Sequence, residues 1–202
     1  MNILIVLGHP DKSSFNHAIA NKCKERLIEN GHSVIFHDLY EEKFDPAITS
    51  EEIPKDGKIE KIVQQHCIDL IQSEGIIIVH PNWWGQPPAI LKGWIDRVVR
   101  PGIAYEFKEG DSGEGVPKGL LKAKVGIVFN TSNTNPQREA YIFGDPLETI
   151  WRNCIFNFCG VKQFERRNYS IVVTSDLPQR VQWLTETGDI IDKYFPKKKM
   201  EV

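Results

Sequence analysis

The chain has no long hydrophobic run. None of its 202 residues lies in an apolar stretch approaching the ~20 residues of a bilayer span, so no membrane insertion is expected. It has no excess of positive charge either. The 25 Lys+Arg against 27 Asp+Glu leave a net charge of -2 and do not suggest a face for sequence-independent nucleic-acid binding. Cysteine is scarce. Cys23, Cys67, Cys154 and Cys159 show no CxxC spacing, which speaks against structural zinc and fits reduced, mostly buried thiols in a cytoplasmic protein. The N-terminus lacks the basic region and cleavage site of a signal peptide, which agrees with that location. Several active-site signatures are missing as well. There is no GxGxxG, no GxxxxGK[ST], no GxSxG elbow and no HExxH. The six histidines form no metal-ligand pattern in sequence. No metal site is expected, and every histidine but His9 reads as solvent-facing or core.

What is present is an alternation of strands and helices. Apolar residues make up 41% and charged residues 26%, which suits one domain, 1–196, with a basic tail over 197–202. Asn2 to Leu7 reads NILIVL, a buried strand too short for a helix. A helix follows from Ser14, with Gly31 at its end. Further strands are expected over 33–36, 76–79, 124–129 and within 164–173. The helix after the fourth strand begins at Asp145-Pro146 and should bury Leu147, Ile150, Trp151, Cys154 and Phe158. The last helix, 178–194, should turn Val181, Leu184, Ile191 and Tyr194 inward. Residues 41–58 read as a polar surface connection, and Asp96 and Arg97 as a solvated or dimer-face pair. Five strands, each followed by a helix, imply an α/β fold with a parallel sheet covered by helices on both faces.

Ligands of such sheets bind at the carboxyl ends of the strands, which selects three loops. The first, Gly8-His9-Pro10-Asp11-Lys12-Ser13-Ser14-Phe15-Asn16, runs into a helix N-terminus, where backbone N–H groups favour an anion such as phosphate. The plainer reading is that Ser13 or Ser14 is only an N-cap. The second, Pro81-Asn82-Trp83-Trp84-Gly85, sets two indoles at the ligand edge, one expected to pack and one to face a flat heterocycle. The third, Asn130-Thr131-Ser132-Asn133-Thr134-Asn135, offers polar groups to the same ring, or is an ordinary turn.

Two segments carry a family resemblance. They are His9…Ser13-Ser14-Phe15-Asn16 and the run His80-Pro81-Asn82-Trp83-Trp84-Gly85-Gln86-Pro87-Pro88-Ala89-Ile90-Leu91-Lys92-Gly93-Trp94. Gly144-Asp145 and Phe158-Cys159-Gly160 match too. The chain resembles the NAD(P)H:quinone oxidoreductase family, the DT-diaphorase-like flavoproteins of flavodoxin-like fold, and within it the bacterial branch described as general stress proteins. The resemblance implies a doubly wound, five-stranded parallel sheet of order 2-1-3-4-5 and a non-covalent flavin, FAD with FMN as alternative. His9, Ser13, Ser14, Phe15 and Asn16 would hold its phosphates. Pro81, Asn82, Trp83, Trp84 and Gly85 would flank its ring, as would Asn130, Thr131, Ser132 and Asn133. Arg180 matches a position that touches the adenosine of FAD. Tyr105 and Phe107 match an aromatic pair presented over a partner's ring, so a homodimer is implied.

The activity implied is hydride transfer from NAD(P)H through the flavin to a quinone or similar electron-poor aromatic, in ping-pong order. The alternative is a regulatory subunit of a potassium-efflux system with incidental reductase activity. Gln137 and Phe143 stand where the family's quinone reductases carry a Tyr and a His. Backbone amides around Asn130, Thr131, Ser132 and Asn133 are then the candidates for stabilising charge on the reduced ring.

Overall fold

The computed structural model describes residues 1–108, 110–111 and 114–198. Five parallel strands form the central sheet: β1 (Asn2–Leu7), β2 (Ser33–Asp38), β3 (Gly75–Pro81), β6 (Val125–Ser132) and β7 (Gln163–Ser170). Their order is β2-β1-β3-β6-β7, the expected 2-1-3-4-5 once the sheet strands alone are counted. A two-stranded hairpin, β4 (Tyr105–Glu106) and β5 (Lys118–Gly119), stands apart from the sheet. Among the described residues no helix is long and apolar enough to cross a membrane.

The period-two geometry of strands splits the core into two layers. Leu4, Val6, Ile76, Ile78 and Val128 face α2 (Lys61–Gln72), α3 (Ala89–Val98) and the helix that begins as α5 (Pro146–Thr149). Ile3, Ile5, Leu7, Ile77, Val79, Ile127 and Phe129 face α1 (Phe15–Glu29) and α6 (Leu177–Tyr194). Ser14 caps α1 by accepting the N–H of His17, as its place before the apolar stripe predicts. Gly31 follows in the left-handed region, φ 79°. The basic tail expected over 197–202 falls partly on residues 199–202, which lie outside the described residues. Lys198 is described, and its N–H bonds the carbonyl of Asn30.

Three helical expectations need correction. Cys154 is exposed, not buried. Residues Ile150–Asn157 continue α5 as a π-helix, so the inward face advances by five residues, from Trp151 to Phe156, and carries Cys154 outward. Val181 is exposed because α6 buries Trp183, Thr187 and Ile191, and at 100° per residue Val181 lies roughly 160° round from Trp183. Arg97 is not a surface partner of Asp96. It is fully buried, its guanidinium on the carboxylate of Glu52 and the carbonyl of Asp45, and so it pins the 41–58 excursion onto α3. Asp96 is paired instead with Lys92. A short helix that the sequence did not suggest, α4 (Pro136–Tyr141), follows β6 and is capped by the Asn135 side chain.

Candidate functional site

The carboxyl ends of β1, β3 and β6 bring the three selected loops together around an open crevice of about 450 Å³. Its lining includes His9, Ser13, Ser14, Phe15, Asn16, Pro81, Asn82, Trp83, Thr131, Ser132, Asn133 and Arg180. A second hollow of about 530 Å³ shares Asn82 with it and is walled by Trp84, Gly85, Phe143 and Pro146. Such volumes fit small-molecule sites.

In the first loop the Asp11 carboxylate accepts both the backbone N–H and the hydroxyl of Ser13, at 2.8 and 2.7 Å. Burial lowers the pKa of His9, whose Nδ1 accepts the N–H of Asp11. Asn16 lies at the floor of the crevice and is buried. Its amide donates to Thr131 Oγ1 at 2.9 Å, joining α1 to β6, while its Oδ1 has no partner. An unpaired buried carbonyl costs about 1–3 kcal/mol, and this oxygen is left without a partner within the chain.

The second loop is a tight turn. The backbones of Trp83 and Gln86 bond each other in both directions, with Trp84 and Gly85 at φ 59° and 70° between them. Two positive φ values define the primed hairpin turn, which favours Asn-Gly rather than Trp-Gly. Neither indole packs into the core, contrary to the expected split. Trp83 is 42% exposed along the crevice and Trp84 is 100% exposed, because the turn lifts both clear of the sheet. Asn82 ties the turn down, accepting Gly85 N–H and donating to Glu139 of α4.

The third loop divides. Thr131, Ser132 and Asn133 reach the crevice, and Asn133 Oδ1 accepts the N–H of Val173. Asn130 does not line it. Its side chain is fully buried beneath, donating to His80 Nε2 and accepting from Arg166 Nε. His80 also accepts from the Trp151 indole and gives its Nδ1 hydrogen to the carbonyl of Pro81. Burial drives its pKa down to about 3, so this ring is a neutral strut. Arg166 continues the network to Asp145, whose side chain therefore does not cap α5. Tyr105 and Phe107 sit apart on the β4 hairpin, Tyr105 edge-on to Phe158. Arg180 lines the crevice while donating to Ser175 Oγ and the carbonyl of Val172.

Sequence reasoning missed polar groups supplied by helix and strand ends. His17, Asp38, Arg138 and Glu139 all reach the site or its immediate support. It also missed a cluster of His37, Glu42 and His66 with ligand atoms within 4.8 Å. The hydrogen bonds there leave His66 no lone pair for a cation. Its Nδ1 accepts the Trp94 indole N–H, so its Nε2 carries the ring hydrogen, 3.2 Å from Glu42 Oε2. His37 lies between Glu42 and Asp69. Burial lowers its pKa, but the two carboxylates more than offset that and raise it overall. Glu42, though burial opposes it, is brought down to about 2 by the two histidines.

Comparison with known proteins agrees with this architecture. A family described as having a flavodoxin-like fold matches residues 1–180. An uncharacterized NAD(P)H oxidoreductase of Haemophilus influenzae is 38% identical over 169 residues, 82% of this chain and 81% of its own. The NAD(P)H dehydrogenase [quinone] 1 of Rattus norvegicus is 28% identical over 80% of this chain and 66% of its own. A crystal structure from Streptococcus mutans UA159 superposes with a TM-score of 0.80 at 28% identity, covering 96% of this chain and 100% of that one.

Proposed function

The chain belongs to the NAD(P)H:quinone oxidoreductase family of flavodoxin-like fold, and on that premise we propose that its crevice holds a flavin and that the protein is an NAD(P)H dehydrogenase (quinone)-like enzyme. The observation that carries the reading is the convergence of the three loops on one open crevice at the N-terminus of α1, lined by Asn16, whose buried amide oxygen has no partner within the chain. The residues fit the group. The first turn of α1, with Ser14 at its cap, suits phosphate, because its N–H groups and dipole favour negative charge, and Ser13 would join it by releasing the N–H and hydroxyl it gives to Asp11. Asn16 Oδ1 repels an anion and suits a hydroxyl donor of the ribityl chain. Trp83 and the Thr131, Ser132 and Asn133 stretch are the walls for the ring, and Arg180 suits the adenosine half of FAD.

When bound, the flavin supplies hydride exchange between NAD(P)H and a quinone. The protein's part is orientation and charge. Asn82 and the Trp83 turn fix one wall, and the buried His80–Asn130–Arg166 strut holds β6 beneath it. Backbone amides around Thr131, Ser132 and Asn133 would stabilise negative charge on the reduced ring. The hollow beside Trp84 and Phe143 suits an aromatic substrate, and one site used in turn by donor and acceptor gives ping-pong kinetics.

The exposed Trp84, Tyr141, Ile142 and Phe143, two of which wall the second hollow, favour a homodimer. In it, Tyr105 and Phe107 approach the partner's crevice. Unpaired thiols fit a cytoplasmic location. Purification followed by heat release and chromatography of the chromophore tests the proposal. A yellow protein releasing FAD or FMN, and oxidising NAD(P)H with menadione, is expected. A colourless protein that stays inactive after either flavin is added overturns it.

A further inference from the structure

Ser14, the α1 cap, is tied into a chain the flavin reading does not need. Its Oγ lies 2.9 Å from His17 Nδ1, and His17 Nε2 lies 3.0 Å from Asp38 Oδ2. His17 and Asp38 are about nine-tenths buried. Asp38, the last residue of β2, is held by its other oxygen, which accepts the N–H groups of Tyr40 and Glu41. Nε2 therefore donates to Asp38 whether the ring is neutral or charged, and only Nδ1 changes role.

We propose that Ser14, His17 and Asp38 form a proton-linked anion clamp, in which a phosphate held at Ser14 is bound together with a proton on His17. This rests on the flavin reading of the crevice. With neutral His17, Nδ1 takes the Ser14 hydroxyl hydrogen, and Ser14 turns only lone pairs toward the crevice. With protonated His17, Nδ1–H donates to Ser14 Oγ. The hydroxyl hydrogen is then free to meet an anion, and a positive charge stands behind it. Phosphate thus favours the protonated ring and, by linkage, affinity falls as pH rises.

The charged and titratable groups facing His17 are few. His9, its ring 6.3 Å away and edge-on, comes from the β1–α1 loop with Asp11 and Lys12. Asp38 and Glu41 come from the end of β2, and Lys12 is paired with Glu41. Hydrogen bonds from Ser13 keep Asp11 charged near neutrality. His9 is therefore the one other group whose titration needs a control.

The test is equilibrium titration with FAD, whose phosphates do not ionise further near neutrality, and with riboflavin, which has none. FMN is run in parallel, with its own second phosphate ionisation near about pH 6 taken into account. The range runs from about pH 5.5 to 8.5, where histidine changes charge. Calorimetry in buffers of different protonation heat counts protons. Expected are a dissociation constant for FAD that rises about tenfold or more over the range, the size of one charge-assisted hydrogen bond, and up to one proton taken up. Riboflavin shows no such slope. In His17→Gln, whose amide donates at every pH, the slope vanishes, while His9→Gln keeps it. If His17→Gln does not fold, Asp38→Asn is read instead and moves the slope to lower pH. A slope absent from the wild type, retained in His17→Gln or equal for riboflavin overturns the clamp and leaves the flavin reading standing. Failure of both flavins to bind at any pH overturns the flavin reading itself.

Discussion

Trp84 holds a backbone conformation that branched and bulky residues avoid, and it does so with its ring wholly in solvent. Strain of this kind persists where a site uses it. Replacing Trp84 with Asn, which tolerates the left-handed region, should stabilise the fold by about 1 kcal/mol. Thermal denaturation should show a midpoint higher by roughly 2–4 °C, while KM for an aromatic acceptor rises. Asn16 makes the same point from the interior. Asn16→Leu removes an unpaired carbonyl but also the bond to Thr131 Oγ1, and because the two roughly offset each other the flavin-free protein should melt close to the wild type. Its flavin affinity should fall at least about tenfold, since a bond to that oxygen is lost. A large loss of stability in Asn16→Leu would show that the oxygen has a structural partner instead.

Among elements, β6 and the π-helix depend on each other. A Cβ added at Gly126 would lie 2.6 Å from the Phe156 ring, which the π-helix turns onto the strand. Gly126→Ala should destabilise by about 1–3 kcal/mol, read in denaturant, because neither strand nor ring has room to move. The sequence shows a helix here but not its five-residue step, which is why Cys154 and not Phe156 looked buried. The cluster joining β2, the following loop and α2 gives a pH dependence of opposite sign at its two ends. Glu42, lowered to about 2, contributes stability that is present above its unfolded value near 4.5 and lost as pH falls toward 2. His37, raised, contributes stability that is full below its unfolded value near 6.5 and lost as pH climbs through its raised folded value. Denaturation from acid to mildly alkaline pH should give a plateau falling off on both sides, and His37→Gln should flatten the alkaline fall.

For the whole molecule, the apolar rim of Trp84, Tyr141, Ile142 and Phe143 predicts self-association. Sedimentation velocity should show a dimer, and a Tyr141→Ser/Ile142→Ser double variant should shift it to monomer. A wild type monomeric at micromolar concentration would remove the partner's aromatic pair from the site. The sequence by itself determined the α/β alternation and the three loops at the sheet's carboxyl edge, because strand length, apolar period and turn residues are local signals that right-handed crossovers assemble in few ways, while the strand order came from the family resemblance. Tertiary structure alone decided which polar atoms meet. Asn130 turns under the sheet to His80 while Asn16 turns into the crevice, and Arg97 goes to Glu52 rather than to solvent. His17 likewise finds Asp38 across 21 residues. Hydrogen-bond partners are chosen by direction and distance in space, and a linear sequence carries neither.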